Sequence, residues 1–140
     1  MNYSTLIKSN GKDHYEIVEQ LVNEESKREG TKVMVFAPDN VSIPVTVVTK
    51  ASVISATKVV LPDIFNVLLT FDTIRCSGIL DVPKDMVLIV PECDRYLRYV
   101  GMELTQTLIN RLVYLGVRMV FITDGGISEE LEYEKVIEQS

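Results

Sequence analysis

The sequence predicts a single α/β domain spanning residues 1–140, with about five strands in a mixed, mostly parallel sheet and helices packed into two or three layers in all. Two patterns predict this fold class. Short, continuous apolar runs at residues 33–37, 86–90 and 117–122 are typical of strands that are buried on both faces. Two longer segments, 13–29 and 93–115, repeat apolar residues at helical spacing instead.

The first predicted element is a helix over residues 13–29. Its apolar stripe is narrow and consists of Ile17, Val18, Leu21 and Val22. Acidic residues cover much of the remaining surface, and Gly30 is a natural stop for the helix because glycine adopts the left-handed conformation found after helix ends. This element is the N-terminal helix of the predicted fold.

Residues 32–47 predict a β-hairpin. The apolar run at 32–37 indicates a buried strand, and the Pro-Asp-Asn sequence at 38–40 has the chemistry of a turn. Residues 41–47 alternate between apolar and polar, as in a half-buried strand. Pro44 cannot donate a hydrogen bond to a neighbouring strand, which places this strand at an edge. The hairpin is the reason for expecting a mixed sheet.

The second half of the chain predicts a βαβ unit. A short β-type run at 57–61 and a more helical apolar segment at 64–71 come before it. The strand at 86–90, the helix at 93–115 and the strand at 117–122 then make up the unit, and its two strands should be parallel.

The acidic segment 127–140 allows two interpretations. Ser128 could cap a final helix with acidic residues in its first turn. The alternation of Leu131 and Tyr133 with glutamates leaves a strand open.

Composition narrows the function classes. The net charge is −6, and most of the acidity lies from Asp124 onward, which argues against nonspecific nucleic-acid binding. We expect no membrane span and no signal peptide, since no apolar run is long enough. With only Cys76 and Cys93, a disulfide framework is not expected, and the cytoplasm is the predicted compartment. The apolar share of 46% favours a homo-oligomer.

Ligands of open α/β sheets bind beyond the carboxyl ends of the strands, which singles out the loops at 91–95 and 123–126. Arg95 and Arg98 lie three residues apart near the start of the predicted long helix, where they could clamp a phosphate. Gly125 and Gly126 would let backbone approach closely. The alternative is structural: Glu92 and Asp94 cap the helix, the arginines are solvated, and the glycines form an ordinary turn.

Two other chemistries are open at the same loops. Glu92, Asp94 and Asp124 are oxygen ligands of the kind that Mg²⁺ takes, although carboxylates after strands are often only helix caps. Cys93 at a helix start could be a nucleophile. A phosphatase-type loop, however, needs arginine six positions later, where Tyr99 stands, so a structural cysteine is the favoured interpretation.

The predicted function is therefore that of a small α/β domain that binds a phosphate-bearing ligand or nucleotide through eight residues: Glu92, Cys93, Asp94, Arg95, Arg98, Asp124, Gly125 and Gly126. A non-catalytic oligomeric interaction protein is the first alternative, and a Mg²⁺-dependent phosphotransfer or nuclease enzyme is the second. No sequence fingerprint identifies a cofactor. His14, the one histidine, is expected to be a surface or cap residue.

Overall fold

The computed structural model describes residues 3–37, 41–55 and 85–139. Its strands are β1 (Ser4–Lys8), β2 (Thr31–Ala37), β3 (Ser52–Ser55), β4 (Asp85–Val90), β5 (Val117–Thr123) and β6 (Lys135–Glu138). Its helices are α1 (His14–Glu25), α2 (Val45–Lys50), α3 (Cys93–Val100) and α4 (Met102–Tyr114), with a short 3₁₀ helix at Ile127–Glu130. None of the helices in these ranges has the length and apolar character that crossing a membrane requires.

The six strands form one parallel sheet in the order β3-β2-β4-β5-β1-β6. Alternate side chains of each strand point to opposite faces, as Leu6 and Ile7 of β1 illustrate. Leu6 joins a core beneath α3 and α4, whereas Ile7 joins a core beneath α1 and α2. The α/β class is confirmed, and the domain has three layers.

The predicted hairpin is wrong, and every strand pair among the described residues is parallel. Part of the segment 41–47 turns into α2 instead, and β3 then pairs in parallel with β2. Pro44 is the N-cap of α2, where its carbonyl accepts hydrogen bonds from the N–H groups of Val47 and Val48. Proline is tolerated there because the first N–H groups of a helix have no intrahelical partner. The predicted turn 38–40, strand 57–61 and helix 64–71 lie outside the described residues.

The C-terminal βαβ unit is confirmed, since β4 and β5 pair in parallel. The single helix predicted between them is two helices. Gly101 takes φ 87°, which ends α3, and its carbonyl accepts from the N–H and the hydroxyl of Thr105 in the first turn of α4. The apolar residues keep helical spacing in the sequence across this break. The break nevertheless rotates the apolar stripe away from the core, as the exposed side chain of Leu104 shows.

Strand β1 was not predicted, and it occupies an interior position between β5 and β6. The N-terminal helix is confirmed, although α1 ends at Glu25 rather than near Gly30. The final helix is wrong: Ser128 lies inside a single 3₁₀ turn, and β6 follows it. Leu131 between them is buried against the core. The strand that the sequence left open begins only at Lys135.

A charged cluster ties the amino ends of two strands to the end of α1. Arg118 of β5, only 6% exposed, donates to both carboxylate oxygens of Glu25 at 2.9 and 2.7 Å. It also donates to both oxygens of Asp85 at 3.1 and 2.6 Å. The guanidinium holds the pKa of both carboxyl groups below their usual values, chiefly through these hydrogen bonds.

Replacing Arg118 with methionine should lower the free energy of unfolding by roughly 2–4 kcal/mol, because it leaves two partly buried carboxylates without their cation. Urea unfolding measures this. Both carboxyl groups have depressed folded-state pKa values, so their contribution is complete above about pH 5 and is lost as the pH falls further. The variant should therefore lose less stability on acidification than the wild type.

Arg28→Met is the matched control. Arg28 pairs with the same Glu25 carboxylate at 3.3 Å but is exposed, so its loss should cost less than about 1 kcal/mol. Equal effects of the two substitutions would contradict the central role of Arg118.

Candidate functional site

The topology creates a cleft at the carboxyl edge of the sheet. Strands β4, β5 and β1 are neighbours, so the loops that follow them meet at this edge. The chain leaves β1 for α1 on one face and leaves β4 for α3 on the other. Loops that diverge to opposite faces at the carboxyl edge leave a crevice, which is where open α/β sheets bind ligands.

The cleft has two adjoining lobes. One, which we call the arginine lobe, has a volume of about 380 Å³ and is lined by Asp94, Arg95, Arg98 and Gly125. The other, the tyrosine lobe, has a volume of about 570 Å³ and is lined by Gly11, Lys12, Asp13 and Tyr15. Both share a wall formed by His14, Glu92 and Asp124. Each volume is in the roughly 300–1,000 Å³ range of small-molecule sites.

A tight turn brings the β1–α1 loop to the cleft. Asn10 and Gly11 have φ angles of 52° and 84°, and the N–H of Lys12 donates to the carbonyl of Ser9 at 3.0 Å. Two successive positive φ angles are typical of an Asn-Gly type I′ turn. Helix α1 then starts at once, with the Asp13 carboxylate accepting from the N–H of Tyr15 at 2.8 Å.

His14 joins all three loops. It is only 7% exposed, which corrects the prediction of a surface residue. Nδ1 accepts from the backbone N–H of Glu92 at 2.9 Å, and Nε2 lies 2.8 Å from Oδ1 of Asp124. Because Nδ1 accepts and a carboxylate has no proton to give, the ring is neutral and Nε2 carries its proton. Both ring nitrogens are occupied, so His14 holds the wall together rather than acting as a base.

Glu92 has an unusual backbone conformation for a residue with a side chain. Its φ of 52° and ψ of 42° are left-handed, which costs about 1–3 kcal/mol outside glycine. The bond to His14 stabilises this conformation from the backbone, and the Tyr15 hydroxyl stabilises it from the side chain by donating to Oε2 at 3.0 Å. Burial, followed by the charge of Glu92, raises the pKa of Tyr15, so its hydroxyl remains a donor.

Asp94 connects the loops that follow β4 and β5. Oδ2 accepts from the Thr123 hydroxyl, and Oδ1 accepts from the backbone N–H of Ser128 at 2.8 Å. Gly126 packs so closely here that a Cβ on it would lie 2.7 Å from Oδ1. A side chain at Gly126 would have to displace the Asp94 carboxylate and so disturb its two hydrogen bonds. Gly126 thus packs against the Asp94 carboxylate and does not line either lobe of the cleft.

Asp124 is the most accessible member of the shared wall, with 71% of its side chain exposed. Its Oδ1 accepts from the Ser9 hydroxyl as well as meeting His14. These two hydrogen bonds, that of Ser9 first, hold the pKa of Asp124 below its usual value. Asp124 therefore carries a full negative charge at neutral pH.

Cys93 does not reach the cleft. It is 1% exposed and packs in the core beneath α3 with Tyr96 and Leu97. Burial raises the pKa of its thiol to about 12, so the thiolate needed for nucleophilic attack does not form at neutral pH. The structural interpretation of this cysteine agrees with its position.

Arg95 and Arg98 are both exposed on α3 and both face the arginine lobe. In the part of the chain that the structure describes, neither guanidinium makes a hydrogen bond or an ion pair. Across the same residues, no group of three or more histidine, cysteine or acidic side chains could hold a metal ion.

The sequence interpretation missed the β1–α1 loop, which contributes Ser9, Lys12, His14 and Tyr15. The signal that could have found it is the Asn-Gly pair at 10–11, which follows an apolar stretch and precedes the start of a helix.

Comparison with known proteins finds no match: neither protein-family models nor curated proteins match this chain.

Substitutions at His14 should separate its two hydrogen bonds. His14→Ala removes both and leaves the Glu92 N–H without a partner, which should lower the free energy of unfolding by about 2–3 kcal/mol. Asparagine places an acceptor near the position of Nδ1, whereas glutamine places a donor near that of Nε2. Each of these variants should therefore recover part of the loss in urea unfolding. If all three variants lie within about 0.5 kcal/mol of the wild type, the joining role of His14 is wrong.

Proposed function

We propose that the protein binds a small, phosphate-bearing ligand in the cleft, with the phosphate in the arginine lobe. The observation that carries this proposal is the pair of guanidinium groups at Arg95 and Arg98, which lack partners in the described structure although carboxylates lie nearby. Guanidinium groups present planar, bidentate donors that match phosphate oxygens.

In the described structure the carboxylates of the cleft make no ion pair with these arginines and instead accept hydrogen bonds from other groups. Asp94 uses both oxygens on Thr123 and Ser128. Glu92 is turned towards the Tyr15 hydroxyl, and Asp124 towards Ser9 and His14. The donor capacity of the two arginines is thereby left to a ligand.

Helix position adds to this support. Arg95 lies in the first turn of α3, whose N-terminal end opens at the cleft, and Arg98 follows in the last turn of this short helix. The positive end of the helix dipole favours an anion at that place.

The occupied oxygens of Asp94 also weigh against the Mg²⁺-dependent alternative. A carboxylate with both oxygens engaged by protein donors has little left for a hard cation, which needs several oxygen ligands. Asp94 is therefore better suited to joining the two loops than to holding a metal ion.

The double variant Arg95→Ala/Arg98→Ala should abolish binding of phosphate compounds. We expect wild-type affinity for pyrophosphate or AMP in isothermal titration calorimetry to fall by at least about 100-fold, because hydrogen bonds to charged groups contribute roughly 1.5–3 kcal/mol each. The unfolding midpoint should stay close to that of the wild type, since both side chains are exposed.

Arg111→Ala is the matched control, because it removes an equally exposed arginine that lies over the Tyr114 ring on α4 instead of facing the cleft. It should leave binding unchanged. Equal loss in both variants, or no binding by the wild type, would contradict the proposal.

A second candidate function, self-association, is favoured by the edge strand β6. The N–H of Gln139 donates to the carbonyl of Lys8, so residues 137 and 139 face β1 and the backbone groups of Val136 and Glu138 face outward. The Val136 side chain is also 51% exposed. An open edge with an apolar side chain is a surface on which a second strand can pair. We propose that a second copy of the chain pairs there.

Val136→Pro should dissociate such a dimer, because proline removes an outward N–H without touching the bonds to β1. Sedimentation velocity at low and high micromolar concentration would show a dimer for the wild type and for Val136→Thr, and a monomer for the proline variant. A wild type that sediments as a 15.8 kDa species throughout would refute the dimer.

A further inference from the structure

The shared wall of the cleft retains acceptor capacity that no protein group uses. Glu92 Oε2 accepts from Tyr15 and Asp124 Oδ1 accepts from Ser9 and His14. The other oxygen of each carboxylate, Glu92 Oε1 and Asp124 Oδ2, has no hydrogen-bond partner among the described residues. His14 holds the two residues one imidazole ring apart. The wall therefore presents two free anionic acceptors beside the two free guanidinium groups.

This arrangement is poorly suited to phosphate alone. A bare phosphate in the arginine lobe would face the negative charges of Glu92 and Asp124 across the cleft. A ligand whose phosphate is attached to a group with several hydrogen-bond donors would satisfy those acceptors instead of being repelled by them.

The residues that line the tyrosine lobe indicate which kind of donor group the ligand carries. Lys12 lines it, and within the described structure its ammonium makes no ion pair. An ammonium group on the ligand could only donate, whereas hydroxyls can donate to the carboxylates and also accept from lysine. Hydroxyls on adjacent carbons would supply both functions within one small ring.

Resting on the proposed function, we propose that the ligand is a phosphorylated polyol, either a free sugar phosphate or a ribonucleotide. Its phosphate binds Arg95 and Arg98, and its hydroxyls bind the free oxygens of Glu92 and Asp124 in the shared wall.

Glu92→Gln tests this through opposite effects on two probes. Glutamine still accepts from the Tyr15 hydroxyl, but it removes a negative charge from the wall. By calorimetry on the full chain, affinity for ribose 5-phosphate should fall about tenfold, because a charge-assisted hydrogen bond from a hydroxyl is lost. Affinity for inorganic phosphate should stay the same or rise, because a repelling charge is gone. Wild-type protein should also prefer ribose 5-phosphate to phosphoethanolamine.

The outcomes are separable. If ribose 5-phosphate and inorganic phosphate bind equally in the wild type, or if Glu92→Gln weakens both alike, the polyol assignment is overturned while the phosphate site stands. Tighter binding of phosphoethanolamine also overturns it. If no probe binds, or if binding survives Arg95→Ala/Arg98→Ala, both proposals fail. AMP binding at least as tightly as ribose 5-phosphate identifies a nucleotide as the source, and weaker AMP binding identifies a sugar phosphate.

Should Glu92→Gln not fold, Glu92→Gly serves in its place. The left-handed backbone at this position suits glycine, so the carboxylate is removed while a backbone cost is relieved. The expected signs for the two probes are the same.

Discussion

The geometry of the cleft depends on one neutral imidazole. His14 accepts from the backbone of the loop after β4 and donates to the carboxylate after β5, while its own backbone begins helix α1 directly after the loop that follows β1. It stabilises Glu92 in a left-handed backbone conformation that is unfavourable for a residue other than glycine, and it holds Asp124 beside Glu92. A side chain that joins three loops without exposed charge lets the surrounding carboxylates and arginines keep free atoms for other partners.

Strand β5 carries the structural polar contacts at both of its ends. Arg118 near its start gathers Glu25 and Asp85 on the side of the sheet away from the cleft, and Thr123 at its end anchors Asp94. Between these ends the strand is almost entirely buried. The ionic cluster thus stabilises the scaffold at a distance from the cleft, so the two sets of charged groups can be altered separately.

Apolar pattern was enough to predict the class of the fold and the parallel βαβ unit, because buried strands and long amphipathic helices leave strong periodic signals. The apolar pattern failed to predict the structure where a single residue decides whether a helix begins or ends. Pro44 fits an edge strand and a helix start equally well, and Gly101 interrupts a helix whose spacing runs on. At the cleft, the loops after β4 and β5 could be located from topology. The contribution of His14 could not, since its burial arises from strands distant in sequence.

The interior position of β1 has a consequence for how the protein folds. Strand β1 is far in sequence from both of its neighbours, β5 and β6, with Ser4 opposite Met119 and Thr5 opposite Lys135. Contacts so far apart in sequence form slowly. The bond between His14 and Asp124 likewise joins segments that are far apart in sequence, so forming it closes a long loop at a cost in chain entropy. The cleft is thus assembled from non-local contacts, and its geometry depends on the pairing of β1 inside the sheet.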